Sequence, residues 1–160
     1  MEFGELKVSE AKQALVLLKK FIKQSPVFGV YELDDKKILD TVYHNILSDT
    51  SCMLVARDKN KIVGILGGYI GHSWFSKQPQ LREYGLFVEK EYRGKGAGFR
   101  LLLEWFKWGK TNFNIEDCWM CLNTGIDAER ALKRFEKIGF KSVGVNLRFN
   151  LKDYKGVKNG

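Results

Sequence analysis

The 160-residue sequence has no apolar run near the roughly 18 residues that a membrane-spanning helix needs. Its opening, MEFGELKVSE, is acidic and lacks the basic and apolar regions of a secretory signal, so a soluble, cytoplasmic protein is expected. Cysteine is scarce, at Cys52, Cys118 and Cys121, and the odd count argues for reduced thiols over a paired disulfide framework. Histidine is scarcer still. A structural metal site needs about four ligands, and the only two histidines lie remote in sequence from Cys118 and Cys121, so no metal is expected. A redox C-x-x-C belongs at a helix start, whereas this one lies in a strand-like run and reads as buried apolar cysteines. Repeats, linkers and low-complexity segments are absent. So are helix-turn-helix or zinc-finger spacings and an arginine-rich arm, which leaves nucleic acid unlikely as a partner.

What the chain does have is apolar mass and positive charge. It is 44% hydrophobic and 29% charged, enough to build one core and to exclude disorder. Lysine and arginine exceed aspartate and glutamate by 27 to 19, a surplus of +8 that favours an anionic partner; a phosphorylated small molecule would satisfy it. A single domain over residues 1–152 is expected, with 153–160 as a loose tail.

Periodicity sets out the elements. FGELKV reads as a strand. Ser9 caps a helix in which Ala14, Leu15, Leu18, Phe21 and Ile22 recur at helical spacing. A second helix over DDKKILDTVYHNILSD carries Ile38, Val42 and Ile46 on one face. SCMLVARD and IVGILGGYIG form a hairpin around KNK. LREYGLFVEKEY is a further strand, followed after Gly98 by a helix with Phe99, Leu102, Leu103 and Phe106 on a face. EDCWMCLNTG is a strand, DAERALKRFEKIGF a helix stopped at Gly139, and KSVGVNLRFNLK an alternating last strand. The order β-α-α-β-β-β-α-β-α-β specifies an α/β or α+β domain.

The most unusual stretch is EYRGKGAGFRLL, where Gly94, Gly96 and Gly98 alternate with Lys95 and Ala97 behind Arg93. It fails the P-loop, since no Ser or Thr follows Gly-Lys, and it fails G-x-G-x-x-G, since Phe99 stands at the third glycine. Two readings remain: a tight strand-to-helix turn with solvated cations, or an anion cradle. Glycines with positive φ, the free N–H groups of a helix start and flanking cations are what a pyrophosphate needs.

LFVEKEYRGKGAGFRLL resembles the acetyl-CoA-binding motif of the GCN5-related N-acetyltransferase (GNAT) superfamily, whose [RQ]-x-x-G-x-[GA] loop is matched by Arg93 to Gly98. ALKRFEKIGF resembles the family's second landmark, an alanine-led helix ending in Tyr-Glu-Lys-x-Gly-Phe. The resemblance implies a twisted, mostly antiparallel sheet with about four flanking helices, in which two central parallel strands, around Glu83–Val88 and Asp117–Asn123, splay into a V. Acetyl-CoA would lie there as co-substrate, with an amine acceptor, small molecule or protein, entering from the other side. It implies that the backbones of Leu86 and Val88, with Phe87 between, hold the acetyl and pantetheine groups. The N–H groups of Arg93, Gly94, Lys95, Gly96, Ala97 and Gly98 would hold the pyrophosphate, and Asn123 would touch the pantetheine arm. Glu83 is the expected base, sharing a strand face with Gly85, where the family more often places its carboxylate; His72 is the reserve. Phe135 stands at the family's tyrosine and has no proton to give, so water or a tyrosine such as Tyr84 or Tyr69 would replace it, or the thiolate leaves unaided. Ala128 stands where the family helix often opens with asparagine. Acceptor choice would lie in residues 25–50, with Tyr31, Glu32, Asp34, Asp35 and Tyr43, and in loop 72–80, with Trp74 and Phe75. The acidic ELDD could draw a cationic amine, or cap a helix. A homodimer is an open option. The alternative is a non-catalytic CoA-binding or regulatory module on the same fold.

Overall fold

The structure, a computed structural model, describes residues 1–148. Five strands form one sheet in the order β1-β2-β3-β4-β5, with β1 Glu2–Glu5, β2 Ser51–Asp58, β3 Lys61–His72, β4 Pro79–Val88 and β5 Cys118–Trp119. All neighbours are antiparallel except β4 and β5, which run parallel. Helices α1 (Ala11–Gln24) and α2 (Asp35–Leu47) cover one face, and α3 (Ala97–Phe113) and α4 (Ala128–Ile138) lie on the other. Among the described residues no helix is long and apolar enough to cross a membrane.

Alternation along β2 and β3 sorts their side chains into two cores. Leu54, Ala56, Val63 and Leu66 meet Leu101, Leu102 and Trp105 of α3, while Met53, Val55, Ile62 and Ile65 meet Leu17 of α1 and Val42 of α2. Both faces being covered, these strands read as continuous apolar runs. Trp105 lies so close over Gly68 that an added Cβ would stand 2.0 Å from its Nε1.

The helix starts differ from expectation. Ser9 does not cap α1; residues 8–10 form a 3₁₀ turn, closed by Glu10, whose carboxylate accepts from Lys7 N at 2.8 Å. Helix α3 begins at Ala97, not after Gly98, so its buried stripe is Leu101, Leu102, Trp105 and Gly109; Phe99 and Leu103 are 49% and 41% exposed. Of the predicted strand 117–123 only Cys118 and Trp119 pair. Residues 141–148 of the expected last strand form no strand with the described residues, and Val143, Val145 and Leu147 are exposed; the rest of that strand and the tail lie outside the described residues.

Candidate active site

The parallel pairing of β4 with β5 covers Leu81–Cys118 and Arg82–Trp119 and stops there. Two features end it. Register slips between β3 and β4, so that Gly67 pairs with Gly85 and Gly68 with Glu83, leaving Tyr84 as an extra residue in a β-bulge. The Glu83 carboxylate then accepts the N–H of Cys121 at 2.7 Å, placing a side chain where a strand-to-strand bond would have continued. Beyond this wedge the edge of β4 pairs with no strand among the described residues.

The bulge corrects one expectation. Glu83 and Gly85 lie on opposite faces: Glu83 follows Leu81 toward the α3 side, whereas Tyr84 and Gly85 both turn toward α1 and α2. A Cβ on Gly85 would meet the Phe21 ring of α1 at 3.1 Å. Where a side chain at 85 would stand, an α1 ring already stands.

Past the bulge, strand geometry selects which backbone groups face the free edge. Glu89 N bonds Val63 O, so the antiparallel ladder turns the N–H and C=O groups of Val88 and Leu86 away from β3 and into the gap. Of these, Val88 O is taken by Arg93 Nε at 2.9 Å. The N–H groups of Leu86 and Val88 and the carbonyl of Leu86 meet no partner among the described residues.

The gap opens into a cleft of about 770 Å³. Glu83, Leu86, Phe87, Val88, Arg93, Gly94, Gly96, Gly98, Asn123 and Phe135 all line it, together with Phe21. The structure thus gathers nearly every candidate residue into one place. Lys95 and Ala97 do not line it: Lys95 Nζ lies over the Tyr92 ring at 5.4 Å, and Ala97 is buried against the core.

The glycine turn is held from several sides. Buried Glu89 at its entry pairs with Lys20 at 2.7 Å and Lys61 at 2.6 Å. Burial alone would raise the Glu89 carboxyl, but the two ammoniums outweigh it and hold the carboxyl below its ordinary value. Tyr92 donates to Asp58 at 2.8 Å, and Arg93 bonds Gln24 and stacks over Phe87. Gly94 and Gly96 then adopt φ of +81° and +82°, which the chain tolerates because neither carries a Cβ. Arg93 N and Lys95 N turn back onto Lys90 O and Tyr92 O, so those two N–H groups are engaged within the turn. The N–H groups of Gly94, Gly96, Ala97 and Gly98 meet no acceptor among the described residues, and α3 adds the positive end of its dipole.

The opposite wall is residues 120–127, tied to the α1–α2 connection by Ser25, which donates to Thr124 O. Behind it α4 presents Arg130 and Arg134, four apart, into the cleft. Neither is among the site residues expected from the sequence. Their signal was a cationic i, i+4 pair on the helix that follows the second splayed strand.

Two carboxylates line the cleft, Glu83 and Asp127, and of these Glu83 is the more buried one. Burial pushes its carboxyl above the ordinary glutamate value, partly offset by the Cys121 N–H bond. His72, at the far end of β3, is exposed and does not line the cleft. Tyr69 and Tyr84 stack on each other at 4.6 Å, and neither lines it. Phe135 does, packed edge-on against Phe140 at 5.5 Å. Cys118 is half-buried, its thiol pushed up to about 12 by burial, but Cys121 is exposed at the cleft, so the pair is not uniformly buried. The acidic ELDD serves α2: Asp34 accepts from Lys37 N at the helix start, and Asp35 pairs with Lys19 at 2.7 Å. Trp74, at 96% exposed, stands clear on its loop.

A model of the acetyltransferase (GNAT) family matches residues 18–140. No curated protein matches the chain in sequence. Solved structures share its fold. An aminoglycoside antibiotic 6'-N-acetyltransferase from Acinetobacter haemolyticus is 16% identical with a TM-score of 0.74, over 94% of this chain and 97% of that one. An AAC(6')-Iy structure, in complex with the bisubstrate analogue CoA-S-monomethyl-acetylneamine, is 16% identical with a TM-score of 0.75, over 93% and 96%. A transcriptional regulator from Bacillus halodurans is also 16% identical with a TM-score of 0.75, over 93% and 98%.

Proposed function

The chain belongs to the acetyltransferase (GNAT) family, and from that premise we propose that it transfers the acetyl group of acetyl-CoA to a primary amine. The observation that carries the reading is the convergence, in one cleft, of a free strand edge, a glycine turn with unengaged N–H groups at a helix start, and a desolvated carboxylate. Each answers one requirement of the chemistry. The pyrophosphate is held by the N–H groups of Gly94, Gly96 and Gly98, with Arg130 and Arg134 supplying charge from the opposite wall. The pantetheine arm runs along Leu86 and Val88 as an added strand, near Asn123. A backbone N–H on that edge also faces the oxyanion that forms when the amine attacks the thioester.

Glu83 takes the proton from the ammonium. A carboxylate lifted by burial is a stronger base than one in water, and it must be ionised to act, so turnover falls as pH drops below its raised pKa. Phe135 gives no proton, and the thiolate leaves without it, since a simple thiol ionises near 8.5. The acceptor is a small-molecule or protein amine. Two of the three structural neighbours named above are aminoglycoside acetyltransferases, which favours a small amine.

The test has two stages. Acetyl-CoA at about 100 times its Kd stabilises a folded binder by about 2.7 kcal/mol, a rise of a few degrees in Tm. No shift at millimolar acetyl-CoA removes the assignment. Release of CoA thiol from acetyl-CoA over a panel of amines then separates an enzyme from a non-catalytic binder on the same fold.

A further inference from the structure

We propose that Phe21 sets the acyl-chain length this protein accepts, closing the V on the α1 side so that acetyl fits and longer acyl groups do not. The proposal rests on the acetyl-CoA reading of the cleft. It starts from a substitution of volume between two elements. Gly85 has no side chain, and the space its Cβ would enter is filled from α1, with Phe21 Cε1 at 3.1 Å and Cζ at 3.4 Å. The ring is held in that place. It packs against Phe87 with centroids 5.2 Å apart, and Phe87 is itself covered by the Arg93 guanidinium at 5.4 Å. Arg93 in turn bonds Gln24 in the last turn of α1, so α1, β4 and the glycine turn fix one another.

The location gives that ring its consequence. Phe21 lines the cleft beside Glu83, Gly85 and Leu86. An acyl carbonyl accepting from the Leu86 N–H points its alkyl tail into the space between the free edge and α1, against the ring. Acetyl has one carbon beyond the carbonyl. Propionyl and butyryl extend it, and a ring packed over Gly85 and against Phe87 has to be displaced to admit them. The bulge at Tyr84 turns position 85 toward α1, where even a Cβ would crowd the Phe21 ring.

The experiment needs no acceptor. Dissociation constants for CoA, acetyl-CoA, propionyl-CoA and butyryl-CoA are measured by calorimetry on wild type, Phe21→Ala and Phe21→Leu. The expected wild-type result is at least about 10-fold weaker binding of butyryl-CoA than of acetyl-CoA, the low end of what one methylene decides in an apolar pocket. Phe21→Ala should abolish that ratio and leave CoA itself unchanged, with Phe21→Leu between the two. Melting of the ligand-free variants records any structural cost separately, and the leucine variant serves if alanine does not fold. Equal binding of all three acyl-CoAs by wild type, or an unchanged ratio in the variants, overturns the proposal. Loss of CoA binding by wild type overturns the cleft reading itself, and this proposal with it.

Discussion

At the scale of single residues, Glu83 carries two jobs that one substitution separates. Its carboxylate holds the Cys121 N–H and so keeps the V open, and it is the proposed base. Glutamine can still accept that N–H but cannot take a proton. Glu83→Gln should therefore retain the fold and cut kcat by about 10²-fold or more, removing the limb of the pH–rate profile at which wild type loses activity in acid. An unchanged profile would dismiss Glu83 as the base. Stability gives a second readout. Burial raises the Glu83 pKa, so its contribution to folding is complete below the unfolded-state value and is lost as pH rises through the folded-state value. The glutamine variant carries no such loss, and its Tm should gain on wild type as pH rises through that window. Phe135→Tyr asks the complementary question. It puts a hydroxyl into the cleft at nearly constant volume, and kcat should barely move; a rise approaching 10²-fold would show that thiolate departure was waiting for an acid.

At the scale of elements, the glycine turn and the Gly68 contact separate a binding role from a packing role. No atom lies within 4 Å of a Cβ added at Gly96, so substitution there meets only the φ of +82°. Gly96→Asp should lower ligand-free stability by about 1 kcal/mol yet eliminate the acetyl-CoA-induced Tm shift, because a carboxylate would repel the pyrophosphate. Normal binding by that variant would place the cradle elsewhere. Gly68 is the opposite case. A methyl there collides with the buried Trp105 indole, with α3 backed onto the sheet, and no flexible tip can swing away. Gly68→Ala should cost about 3 kcal/mol or more in denaturant unfolding, well beyond the usual strand glycine effect. A loss under ~1 kcal/mol would mean that α3 can lift off β3.

At the scale of the molecule, acid stability hangs on a tie between the segment before α1 and the sheet. Arg57 of β2 grips Glu10 with Nε at 2.6 Å and Nη2 at 2.7 Å, and both side chains are mostly buried. The Arg57 guanidinium holds the Glu10 carboxyl at about 2, against an ordinary 4.5. A lowered carboxyl contributes stability that is present above the ordinary value and lost as pH falls toward 2. That contribution is about 3 kcal/mol at neutral pH. Glu10→Gln should be less stable than wild type by roughly that amount at pH 7, and the gap should close between pH 4.5 and 2. A gap independent of pH would show that shape, not charge, makes the tie.

The sequence alone determined the parts that local chemistry controls. Helical and strand periods mark most elements, Gly139 ends α4 with φ of +111°, and the RGKGAG stretch already marks a glycine-rich strand-to-helix turn. What tertiary structure decided is everything that depends on how two distant segments meet. A one-residue slip between β3 and β4 leaves no trace in the period of LREYGLFV, yet it puts Glu83 and Gly85 on opposite faces and gives Gly85 the Phe21 ring for a neighbour. The length of β5 could not be read from EDCWMCLNTG either, because a side chain on another strand, Glu83, takes the N–H that would have extended the pairing. Arg130 and Arg134 read as ordinary surface charge until the fold places α4 beside the cleft, which both of them line. Register and packing set these contacts, and both are fixed by the sum of many side chains across the sheet rather than by any run of the chain.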